Sequence, residues 1–193
     1  MSRQAIVLAA GAGTRFGGGK LLADWSGRPL ILAAVEAALA APVETVIVVL
    51  GCEAPRVAAA LAAVTDPRLR LVVADDWADG LSASLRAGVE SLPSDSDGFL
   101  LFLGDMPLIP PDLPPRVLSA LNGGAAAVQP FHGQTPAHPV GFSAALYGPL
   151  RSLSGDAGAG ALLRGRSDVV RLSCGEAGAA FDIDRPDDAT GAP

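Results

Sequence analysis

Three short apolar runs, at residues 5–9, 43–50 and 98–103, are almost free of polar interruption. They are too short to cross a bilayer and too continuous for one face to meet water, so each suits a strand buried on both faces. Between and after them lie stretches of helical length at 29–41, 55–64 and 81–92, the first two rich in alanine, with a short strand at 70–74. Strands and helices in alternation imply an α/β fold, Rossmann-like, with a mostly parallel central sheet and helices on both faces. Past residue 110 the rhythm loosens. Pro110, Pro111, Pro114 and Pro115 crowd the start of a helix running through Leu121. Residues 125–130 and 140–142 read as weaker strands, 143–153 and 157–164 as helices, and 168–173 as a late strand. No repeat or long linker divides the chain, so residues 1–193 are expected to form one domain.

Charge narrows the function classes. Twenty acids against 14 bases leave a net charge of −6, which argues against a partner such as nucleic acid or a membrane surface. The bases are 13 arginines and one lysine, Lys20. Cys52 and Cys174 lack the spacing of a disulfide framework or a zinc site, and His132 and His138 form no H-x-x-H pair. Residues 1–4 lead straight into a short apolar stretch broken by glycines, unlike a secretory signal, so a cytoplasmic protein is expected.

The one lysine closes a glycine-rich loop, Gly11-Ala12-Gly13-Thr14-Arg15-Phe16-Gly17-Gly18-Gly19-Lys20, placed directly after the first strand. Glycines let successive backbone N–H groups face one anion, and loops at strand carboxyl ends are where open α/β sheets bind ligands. Two standard phosphate motifs fail here. Thr14 stands where the P-loop pattern needs its first glycine, and Phe16 where a dinucleotide fingerprint needs its third. An NAD(P) site is disfavoured further because a pyrophosphate needs only backbone amides there, whereas Arg15 and Lys20 supply two cations. That much positive charge on one loop suits a nucleoside triphosphate.

Asp105 follows the strand at 98–103 and faces the same crevice, where a carboxylate beside a triphosphate is explained as a magnesium ligand. Asp182 and Asp184 alternate, sharing one face of an extended segment, and either one can join Asp105 around a metal. Asp187 and Asp188, after Pro186, suit the first turn of a terminal helix.

These residues resemble the MobA-like nucleotidyltransferases, in particular the molybdenum cofactor cytidylyltransferase branch. Leu8-Ala9-Ala10-Gly11-Ala12-Gly13-Thr14-Arg15-Phe16-Gly17, then Lys20-Leu21-Leu22, is similar to that family's L-A-A-G-x-S-x-R-x-G-x-x-K-L opening. Gly80-Leu81-Ser82-Ala83-Ser84-Leu85 resembles its G-M-x-x-S-L segment, and Gly104-Asp105-Met106-Pro107 its metal-binding G-D-M-P. His138-Pro139-Val140, Gly155-Asp156-Ala157-Gly158-Ala159 and the 182–188 segment match later motifs in the family's order. Ala10 and Met106 lean toward the cytidylyl branch, since the guanylyl branch usually carries L-A-G-G and lacks G-D-M-P. One departure stands out: Gly160 follows Gly155-Asp156-Ala157-Gly158-Ala159 where arginine is usual.

The resemblance implies transfer of CMP from CTP, with Mg²⁺, to the phosphate of molybdopterin, with pyrophosphate released and possible delivery to a molybdenum hydroxylase. Arg15, Lys20 and Asp105 would be catalytic, and Asp105 and Asp184 would hold the metal. Leu8, Ala9, Ala10, Gly11, Gly13, Arg15, Lys20, Gly80 and Ser84 would bind the nucleotide. His138 and Asp156 would contact the acceptor. Other readings are a related transferase using GTP or another phosphorylated acceptor, and a non-catalytic molybdenum cofactor chaperone.

Overall fold

The computed structural model describes residues 1–190; the last three residues of the expected domain, 191–193, lie outside the described residues. Its strands are β1 (Arg3–Ala9), β2 (Asp24–Trp25), β3 (Arg28–Pro29), β4 (Thr45–Leu50), β5 (Leu69–Val73), β6 (Gly98–Leu103), β7 (Ala127–His132), β8 (Thr135–Pro136), β9 (Val140–Ser143) and β10 (Val169–Ser173). The helices are α1 (Ile31–Ala40), α2 (Ala54–Leu61), α3 (Leu81–Glu90), α4 (Leu113–Asn122), α5 (Tyr147–Arg151), α6 (Ala159–Leu163) and α7 (Pro186–Thr190).

The main sheet runs β10-β7-β9-β6-β1-β4-β5, with β8 paired to β7. Strands β6, β1, β4 and β5 are mutually parallel, and β7 is parallel to β10. Only β9, which is antiparallel to both β6 and β7, and the short β8 break that direction. Strand β1 is buried at every residue, and its alternate side chains part to the two faces. Ala5, Val7 and Ala9 pack with α1, α2 and α4, while Ile6 and Leu8 pack with α3, α5 and α6. Phe99 and Leu101 join the second face, Leu100 and Phe102 the first. Truncating one of these large core side chains to alanine costs ~2–5 kcal/mol through lost burial and the cavity left behind.

The three apolar runs fold as the sequence implies, and β6 keeps the expected bounds. Other boundaries shift for identifiable reasons. The helix expected from residue 29 begins at Ile31, because Arg28 and Pro29 pair with Trp25 and Asp24 in a small hairpin. Its turn, Ser26-Gly27, has φ of 54° and 85°, the left-handed pair that tight hairpins require. The helix expected at 143–153 is divided, since Ser143 ends β9 and a 3₁₀ turn at Ala144–Leu146 precedes α5. The one expected at 157–164 contracts to α6, flanked by Gly158 and Gly165.

The order in which strands are added reverses at β1: β4 and β5 lie on one side of it, β6 on the other. The loops after β1 and β6 therefore meet at the switch point of the sheet, where ligand crevices form.

Candidate active site

The loop after β1 turns on glycine. Gly17, Gly18 and Gly19 have φ of 94°, 92° and 68° in succession, a left-handed run that side chains with a Cβ enter only at a cost. Backbone bonds from Phe16 and Gly18 to the Gly13 carbonyl fold it back, and the Gly19 N–H donates to Glu53 Oε2 at 3.0 Å. Lys20 is thereby carried across to the carboxyl end of β6.

There it meets both acids. Lys20 Nζ lies 2.7 Å from Asp105 Oδ2 and 3.1 Å from Asp184 Oδ1. Arg15 Nη1 lies 3.1 Å from Asp184 Oδ2. The segment carrying Asp184 is tied down by a bond from the Ile183 N–H to the Asp105 carbonyl. Asp188 in the first turn of α7 accepts from the Asp184 and Arg185 N–H groups. The two cations differ in freedom: the Lys20 side chain is 11% exposed, that of Arg15 80%.

Burial opposes the Lys20 ammonium, but the bonds and attraction of Asp105 and then Asp184 outweigh it and raise its pKa above 10.5. Lys20, then Arg15, holds the Asp184 carboxyl below its ordinary value. Asp182 moves the other way, pushed up by burial and then by the neighbouring charges of Asp105 and Asp184. Of the two acids left open by the alternation, Asp184 is the one that pairs with Lys20.

Asp105 also bears on metal binding. Its Oδ1 is buried with no hydrogen-bond partner, an acceptor left over for a cation. No three His, Cys, Asp or Glu side chains converge as a metal set among the described residues. Asp105 and Asp184 thus fit a cation that draws its remaining oxygens from phosphate and water, as Mg²⁺ does.

Beside this cluster opens a cleft of about 430 Å³, a size that suits a mononucleotide. Leu8, Ala10, Gly11, Gly80, Ser84, Asp105 and Asp156 all line it. Ala9 and Gly13 line a smaller recess shared with Lys20 and Asp105, and Asp156 also lines the depression beside Arg15 and Asp184. Gly80 has φ +112°, and a Cβ there would stand 2.6 Å from the Gly155 carbonyl carbon. That contact seats α3 against the Asp156 loop, with the Ser82 hydroxyl donating to the Gly155 carbonyl at 2.7 Å.

His138 is placed differently from the expectation of an acceptor contact. Its Nδ1 lies 3.1 Å from the Leu101 carbonyl of β6, and it lines none of these recesses. Burial lowers its pKa, offset in part by that bond and by Asp105, and the bond ties the ring to β6. The sequence reading missed Trp77, which enters the cleft on a 3₁₀ turn ahead of α3. An isolated tryptophan shortly before the Gly80 motif was its available signal.

The α/β fold agrees with what comparison with known proteins finds. The MobA-like NTP transferase domain matches residues 5–171. The chain belongs to the MobA-like NTP transferase family. It is a nucleotidyltransferase domain, and its fold recurs in solved structures. Rv0371c from Mycobacterium tuberculosis H37Rv is 28% identical with a TM-score of 0.84, over 98% of this chain and 97% of that one. A manganese complex of Rv0371C aligns at 26% identity and TM-score 0.80, over 98% and 97% of the two chains. A nucleotidyl transferase from Methanothermobacter thermautotroptrophicus is 26% identical with TM-score 0.81, over 98% and 94%. The bifunctional protein GlmU of Kineococcus radiotolerans is 38% identical over 126 residues, 64% of this chain and 25% of that protein. The chain covers only 25–30% of the length of the curated relatives it matches. No helix among the described residues is long and apolar enough to cross a membrane.

Proposed function

We propose that this transferase moves CMP from CTP to the phosphate of molybdopterin and releases pyrophosphate, with residues 1–193 acting as one domain. The observation that carries nucleotidyl transfer is the meeting of Lys20 with Asp105 and Asp184 at the mouth of the Leu8–Gly80–Ser84 cleft. CTP and molybdopterin rest on the L-A-A-G and G-D-M-P resemblance, as does delivery to a molybdenum hydroxylase.

The apolar walls of the cleft, Leu8, Trp77, Leu81 and Leu103, suit a nucleobase and ribose. Gly11 and Gly13 let the backbone approach the phosphates. Lys20 and Arg15 neutralise the triphosphate and the departing pyrophosphate. Asp105 and Asp184 would hold Mg²⁺, which supplies charge stabilisation at the phosphate oxygens when bound. A phosphate monoester has its second pKa near ~6 and is already largely dianionic at neutral pH. No general base is required, and catalysis is positioning plus charge neutralisation. Manganese bound by the related Rv0371C supports a divalent cation here.

A second reading keeps the transfer but uses another NTP or another phosphorylated acceptor, such as a sugar phosphate. It is favoured by the curated relatives, which carry the name GlmU. Pyrophosphate release is measured for each of the four NTPs with purified molybdopterin or a sugar phosphate and Mg²⁺. Turnover that requires CTP and molybdopterin is expected. Turnover with GTP, or only with the sugar phosphate, would replace this reading by the second. No turnover with any pair would favour a cofactor chaperone.

A further inference from the structure

Beside α6, at the β7–β10 edge, lies a second cavity of about 430 Å³ that shares no lining residue with the nucleotide cleft. Gln129, Phe131, Leu163, Arg164, Arg166 and Arg171 give it its character, and no acidic residue lines it. In a chain of net charge −6, three arginines around one recess, of which only Arg166 is ion-paired, reverse the sign of charge locally.

Each arginine is held differently. Arg171 stacks over the Phe131 ring, 3.5 Å from its centroid, a geometry that fixes the guanidinium without consuming its charge. Arg166 is clamped by Asp168 through two bonds of 2.9 and 2.7 Å. Arg164 and Arg171 have no ion-pair partner among the described residues. Gln129 is 8% exposed, and its Nε2 donates to the Ala137 and Pro130 carbonyls. That leaves its carboxamide oxygen as an acceptor. Apolar Leu163 and Phe131 complete a lining suited to an organic molecule rather than to a bare ion.

We propose that this cavity is an anion-binding site separate from the nucleotide cleft, taking a small organic anion with a phosphate or carboxylate group. Guanidinium forks match both groups. Two sources fit that chemistry: the far end of the acceptor, or a free anionic metabolite. The first is geometrically open. Asp156 lines the nucleotide cleft and Gly160 the basic cavity, and four residues span at most ~14 Å. Only assignment to the acceptor rests on the transfer reading; the site itself does not.

The test is backbone-amide NMR of the full chain, titrated with inorganic phosphate and with citrate. Saturable shifts are expected at residues 160–171. The Arg164→Ala/Arg171→Ala double variant should weaken them at least about tenfold, with its melting temperature and the shifts of the 11–20 loop unchanged. The double lysine variant, which keeps the charge, should retain measurable binding. Wild-type amides at 160–171 that do not saturate, or that respond equally in the double alanine variant, would overturn the site. Kinetics then separate the sources. A raised acceptor KM with unchanged kcat and NTP KM assigns the site to the acceptor. Unchanged constants in the double alanine variant, beside a saturable response of the wild-type amides, assign it to a free anion. Failure of transfer with every NTP would leave the amide response standing, so the two ideas fail separately.

Discussion

The nucleotide cleft lies at the strand ends and the basic cavity at the β7–β10 edge of one sheet, and they handle charge in opposite ways. At the strand ends the protein balances its own charges, with Lys20 resting on Asp105 and Asp184. At the β10 edge, Arg164 and Arg171 are left without acidic partners among the described residues. A ligand entering the first must exchange with an ion pair already made, whereas a ligand entering the second only adds to what is there. Exchange favours selectivity, because only a ligand that supplies both a cation and an anion restores the balance. Addition favours breadth.

The largest expected effect probes the balanced cluster. Asp105→Ala should lower kcat/KM by about 10²-fold or more, the scale of losing one charge-stabilising group; an unchanged value in steady-state pyrophosphate release would remove it from the site. Lys20→Ala should lose activity on the same scale, and Lys20→Arg should be impaired too, since a fork does not replace a compact ammonium. The same alanine variant sharpens the idea of exchange. Without nucleotide it should bind Mn²⁺ about tenfold more tightly, because the cation competing for both carboxylates is gone. Equal or weaker binding by titration calorimetry would break the contrast between the cavities.

Trp77→Ala should raise the NTP KM several-fold with little change in kcat, as loss of an apolar wall does. The smallest effect concerns Asp182, whose pKa lies above its ordinary 3.8 through burial and then the nearby Asp105 and Asp184 charges. A carboxyl raised in the folded state favours folding while protonated and gives that up as pH rises through its folded value. Asp182→Asn should therefore raise the melting temperature modestly at pH 7. The gain should vanish as pH falls below 3.8; a pH-independent gain would point to packing instead.

The parallel half of the sheet was largely legible in the sequence because burial on both faces leaves an unmistakable signature. Residues 98–103 were bounded correctly for that reason. The small hairpin was not, since strands of two residues have no period to read. The strand-end cluster could be assembled because Lys20, Asp105 and Asp184 each follow or flank a recognisable motif. The basic cavity could not, because Arg164, Arg166 and Arg171 come from a helix end, a turn and an edge strand. No spacing rule unites such residues until the chain is folded.

The run from Gly17 to Gly19 makes the reach of Lys20 a matter of counting. With every φ left-handed, that stretch follows a path that residues with a Cβ enter only at a cost. Removing one glycine would shorten the stretch by up to ~3.6 Å, more than the 2.7 Å contact of Lys20 with Asp105 can lengthen and remain a hydrogen bond. Substitution strains such a loop, but deletion disconnects it. The triad of glycines acts as a ruler, and the charge balance of the cleft is set by its length.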